Sequence, residues 1–142
     1  MIDLVYHILN EDTATNTATG GRIHPMMRPQ TEVFPSIVFG LTDSKFENVS
    51  TMGGTTAGTT RAAADVYTIG IACLDENLSS AFSIHTLTRA AMENFTTTTI
   101  TIGSNTYRIH SIHLVDVLAS ADEEGEIYVF EGVFEVKMNI VS

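Results

Sequence analysis

Five histidines, one cysteine and a cluster of acids are the residues of this sequence that could do chemistry. His110 and His113 stand three apart in a stretch that reads as a strand. Ideal alternation puts them on opposite faces, where they cannot share a metal ion. Ile109 and Ile112 carry the same parity conflict, which predicts a β-bulge between them. A bulge would bring the two histidines together, but ligand count and geometry still argue against a metal site. His85 falls at the edge of an apolar helix face and reads as a packed core histidine. His24 belongs to a proline-punctuated connector, and His7 to the polar side of a first helix. Cys73 ends a strand and reads as a small buried residue, not a nucleophile. A lone cysteine also excludes an intramolecular disulfide and a cysteine-based zinc site. Asp122, Glu123, Glu124 and Glu126 gather at one turn. Catalytic carboxylates must converge across a cleft, which neighbours in a solvated turn do not do, so a loose divalent-cation site is the most they offer. The run Met52, Gly53, Gly54, Thr55, Thr56, Ala57, Gly58 and Thr59 is rich in glycine but lacks the Gly-Lys-Ser/Thr ending that cradles phosphate. The expectation is therefore a chain that is not an enzyme, with no catalytic residues, no cofactor and no metal.

The elements that carry these residues follow from periodicity. Residues 2–10 predict a short helix with Ile2, Val5, Ile8 and Leu9 on one side. Residues 11–21 turn small and polar and end in Gly20-Gly21, which predicts a loop. Pro25, Pro29 and Pro35 mark an extended connector. Ser36–Thr42 predicts a strand, and the glycine-rich stretch 43–60 the tip of a long hairpin. Arg61–Cys73 predicts the returning strand, with Tyr67, Ile69, Ile71 and Cys73 on one face. The small residues Gly70 and Ala72 beside Val66 on the other face suggest a close-packed helix there. Asn77 predicts the N-cap of a helix over 78–94. Strands follow at 97–102 and 106–116 around a Gly103-Ser104-Asn105 turn, and then a long final strand. In that strand Tyr128, Phe130, Phe134, Val136, Met138 and Ile140 point one way. Glu131, Glu135, Lys137 and Asn139 point mostly the other. The whole reads as α+β: a mostly antiparallel β-sheet with a long hairpin and two helices packed on one face, in a single domain over residues 1–142.

Hydrophobic residues make up 44% and charged residues 17% of the 142, enough apolar material for one core. With 17 acids against 7 bases the net charge is −10, and no basic stripe is present for gripping nucleic acid. Plain solubility is the simplest reading of that charge. No signal peptide and no membrane span are expected.

Several motifs follow one another along the chain: Arg22-Ile23-His24-Pro25, Phe34-Pro35-Ser36-Ile37-Val38-Phe39, Asp65-Val66-Tyr67, Tyr107-Arg108-Ile109-His110-Ser111-Ile112, and the turn Glu123-Glu124-Gly125 before the final strand. In this order they resemble the phage tail completion or tail terminator proteins, lambda-like in the broad sense. The stretch 43–60 is longer and richer in Gly and Thr than that family leads one to expect. The final strand lacks the basic residues often found there. The resemblance implies a virion protein of the tail top or neck, made in the host cytoplasm. It implies a homo-oligomeric ring, usually of six copies, that terminates the tail tube and joins it to the head connector. On that reading the final strand pairs edge to edge with a neighbouring copy. Glu131 and Glu135 face a channel through which DNA passes without binding, and loop 52–59 meets the tube or the connector. The alternatives are a head-completion or head–tail joining neck protein and, of another class, a small cytosolic ligand-binding protein or enzyme.

Overall fold

The computed structural model describes residues 2–26, 33–48, 63–121 and 125–141, without the side chains of 42–48 and 63–64. Its elements are α1 (Ile2–Glu11), α2 (Thr13–Thr19), β1 (Ile23–Pro25), β2 (Ser36–Asn48), β3 (Ala63–Asp75), α3 (Leu78–Glu93), β4 (Thr99–Ile102), β5 (Asn105–Ala121) and β6 (Tyr128–Val141). One sheet takes the order β1-β2-β3-β6-β5-β4. Every pair is antiparallel except β1 with β2. The fold is α+β, as the patterning predicts.

The core forms where helices meet one face of this sheet. From α1 it takes Leu4, Val5, Ile8 and Leu9, from α3 Ile84, Ala91 and Met92. From the strands it takes Ile37, Phe39, Ile69, Ile71, Cys73, Tyr107, Phe134, Val136 and Met138. Asn77 caps α3, its Oδ1 accepting the Ser80 amide at 3.1 Å.

Five expectations are corrected. The polar stretch 11–21 holds a third helix, α2. Asp12 caps it by accepting from the amide and hydroxyl of Thr15, at 2.9 and 2.6 Å. Gly20, at φ 62, closes it in the left-handed conformation. Caps at both ends and the burial of Thr15 and Thr19 overcome the weak helix propensity of threonine. The connector at 22–25 contains strand β1, whose Ile23–Pro25 lies parallel to Ile37–Phe39 at the sheet edge, where proline is tolerated. Strand β2 runs on to Asn48 past an irregularity at Thr42, so part of the expected loop is strand. Helix α3 covers the Ile69–Ile71–Cys73 face of β3, not the small face. Burying branched side chains is worth about 1.5–3 kcal/mol each, and Gly70 and Ala72 offer little of it. Finally, β6 is a central strand, with β3 on one side and β5 on the other. Its backbone groups are committed within the chain, so it cannot pair with a neighbouring copy.

Candidate functional site

The side of the sheet turned away from the helices is the candidate surface, and β6 lays it out. Residues that face one another in a ladder share a side. Phe130, Gly132, Phe134, Val136 and Met138 therefore fall on the helix side, and Glu131, Glu135, Lys137 and Asn139 on the open side, as the alternation predicts. Both acids are half-buried. Glu135 stands opposite His113, whose Nε2 lies 3.8 Å from its Oε1.

The predicted bulge is present. The β5 register shifts between Ile109 and Ser111, leaving His110 as the extra residue, and again between Leu114 and Asp116, leaving Val115. Ile109 and Ile112 thereby both face the helices, opposite Met138 and Val136. His110 reaches across the open side to Asn139, Nε2 to Oδ1 2.8 Å. The two histidines thus engage different partners, and no group of three or more His, Cys, Asp or Glu that could hold a metal ion occurs among the described residues.

Cys73 and His85 are committed to packing. Cys73 is buried, with Sγ 3.7 Å from the Thr88 hydroxyl. Burial pushes its thiol up to about 12 against the lowering effect of that contact, so it is no nucleophile near neutral pH. His85 is packed as expected, stacked on Phe130 with centroids 6.2 Å apart. Its Nδ1 is buried with no hydrogen-bond partner among the described residues. Burial, aided by Arg89, holds its pKa below the ordinary imidazole value. A cavity of about 280 Å³ between α1 and α3 is lined by His7, Glu11, Asp12 and Asn94 among others. There Asp12 is already occupied as the cap of α2. Of the acidic turn, Glu126 is exposed and lies near Glu76 in an open hollow. Asp122, Glu123 and Glu124 lie outside the described residues, as does the run Met52–Thr59.

Sequence reasoning missed the sheet's edges. Strand β4 covers β5 only at Asn105–Arg108, helped by the Ile109 amide bonding to the Thr98 carbonyl at 2.7 Å. Beyond that point β5 continues to Ala121 with no outer strand among the described residues. Val115, Val117 and Leu118 on this arm are 48%, 40% and 51% exposed. On the opposite edge, β1 covers β2 only at Ile37–Phe39. The broken alternation of Leu114-Val115-Asp116-Val117-Leu118 was the available signal, since an arm exposed on both faces has no periodicity to display.

No protein-family model matches the sequence, and no curated protein matches it. Among solved structures, the chain is similar to one in the virion of a native gene transfer agent particle. The TM-score is 0.68 at 14% identity, over 94% of this chain and 90% of that one. At that identity the likeness is one of fold. No helix among the described residues is long and apolar enough to cross a membrane.

Proposed function

We propose that this chain is a structural protein of a phage-like virion, assembling into a ring that terminates the tail tube and joins it to the head connector. The observation that carries the reading is the likeness of nearly the whole fold to a chain of a virion particle. Two further features support it. Among the described residues both edges of the sheet are left partly unpaired, as suits a subunit that repeats around an axis. Among the described residues, Asp12, Cys73, His85, His110 and His113 are each tied up in a cap, in packing or in a pairwise contact instead of converging on one site. Its partners are other copies of itself, the tail tube protein and the connector, with residues 52–59 as the contact to one of the last two.

Light scattering on the purified protein, with negative-stain imaging, tests the ring. The expected mass is that of a closed cyclic assembly of about six copies, formed alone or on tube ends. The same tubes, offered a chain lacking residues 50–60, test the loop. A chain that stays monomeric and leaves tube ends bare overturns the terminator reading. One that binds the head connector instead is a neck protein of the head side.

The open side of the sheet, free of helices among the described residues, is then the channel wall. Glu131 and Glu135 would repel the DNA backbone and let the genome slide. Reversing both to Lys should slow DNA ejection by about tenfold at low salt, with the effect fading as salt rises. Ejection at the unchanged rate would remove these acids from the channel.

A further inference from the structure

The two unpaired edges match one another. Past the bulged Val115, the run Asp116–Ala121 is laddered without interruption to β6 and has no outer strand among the described residues. Past the irregularity at Thr42, Asp43–Asn48 is laddered without interruption to β3 and likewise has no outer strand among the described residues. Because β2–β3, β3–β6 and β6–β5 are all antiparallel, β2 and β5 run in opposite senses. Rotation about a ring axis preserves each strand's sense along that axis. The β5 edge of one copy therefore meets the β2 edge of the next antiparallel, the more stable kind of ladder.

We infer that Asp116–Ala121 of one copy pairs with Asp43–Asn48 of a second copy, making the sheet continuous from subunit to subunit; this rests on the ring reading above. The face rule narrows the register. Leu118 shares the open side with Glu131 and hence with Lys137, and Lys45 stands level with Lys137 through Val66. Opposite residues must share a side. Two registers of five pairs each meet this condition, and we take the one that sets Leu118 against Lys45 and Val117 against Phe46, because the other, Leu118 against Glu47, adds two residues of stagger and tilts the strands beyond the ~35–45° of closed sheets.

This register has the stagger that a closed sheet needs. Read along β6, Leu118 is level with Glu131 and Lys45 with Lys137, six residues apart. At ~3.3 Å per residue the copies are offset by ~20 Å, across four long strands that span ~19 Å. The strand tilt is then ~45°, at the upper end of the ~35–45° of closed sheets. An unstaggered ring fails on two counts. It has no tilt, and it sets the β5 arm against the 3-residue β1 and the β2 arm against the 4-residue β4. Pairing in the staggered register also satisfies the open main-chain groups of the arm and covers Val117 and Leu118, a row that would otherwise invite aggregation.

Leu118→Cys combined with Lys45→Cys tests the pairing, with and without tail tubes. Mild oxidation should give a ladder of covalent oligomers ending at the ring size, and neither single variant should. Cys73 is buried and stays out of the reaction. Leu118→Lys and Leu118→Glu give a second reading at an exposed position that tolerates either. Lys opposite Lys45 should weaken assembly about tenfold relative to Glu, because like charges directly opposite destabilise a ladder. Rings that form without cross-links, and equally well with Lys or Glu, overturn the edge pairing and leave the ring reading standing. A monomer under every condition overturns both.

Discussion

Phe134→Ala should lower the unfolding free energy by about 3–5 kcal/mol and the melting temperature by on the order of 10–20 °C. Phe134 is fully buried on the helix side of β6. It stands between Ile69 of β3 and Leu114 of β5 in the ladders. A cavity left there has little room to collapse. The strands on both sides are held by main-chain ladders, so they cannot close in without breaking register. Phe130, four residues earlier, is only partly buried, and its ring sits near the exposed Phe82, centroids 5.3 Å apart. Phe130→Ala should therefore cost about half as much or less, since water can enter the space. Thermal unfolding of the two variants side by side decides the matter. Equal losses would mean that the Phe134 site relaxes as freely as a surface site. In cells the larger loss should lower the folded fraction and with it the level of the protein.

What the sequence made legible was local. The period of 2 through Tyr128–Ile140, the cap at Asn77 and the bulge at His110 each depend on a few neighbouring residues, and each stands where the pattern puts it. Helix α2 was hidden because threonine favours strands, while its two signals, Asp12 and Gly20, also read as loop residues. The side taken by α3 was misread for a similar reason. Small residues permit close approach, but they do not draw a helix as Ile69 and Ile71 do. Spatial order is the larger gap. The last strand in sequence is central in space because β3 and β5 close on it from either side. That fact lies in long-range pairing, not in the strand's own pattern. The candidate surface was half legible in consequence. Glu131 and Glu135 were placed by alternation, whereas the β5 arm carries apolar residues on both sides and no period at all.

Gly132→Ala should destabilise the protein, by about 1–3 kcal/mol, although the same change usually helps. Glycine to alanine at a position free of strain gains about 0.4–1 kcal/mol by stiffening the unfolded chain. Gly132 meets the backbone half of that condition, since it is not among the residues with positive φ. Space decides against it. A Cβ at this position would lie 2.9 Å from Cε2 of Phe134 and 3.1 Å from Cε1 of His85. Neither ring can step aside freely, because Phe134 is fully buried and His85 nearly so. The easier motion is for α3 to lift from β6 at His85, which would uncover Phe130. Valine at 132 should be worse than alanine by a further ~1 kcal/mol or more. His85→Ala should restore part of the loss, because it vacates the space that the new methyl needs. A double-mutant cycle on thermal or denaturant unfolding reads that coupling directly, with an expected favourable interaction of about 1 kcal/mol or more. If Gly132→Ala is as stable as the parent and the cycle closes to zero, then the seam between α3 and β6 is loose at this point, and the glycine is there for some reason other than to seat the histidine.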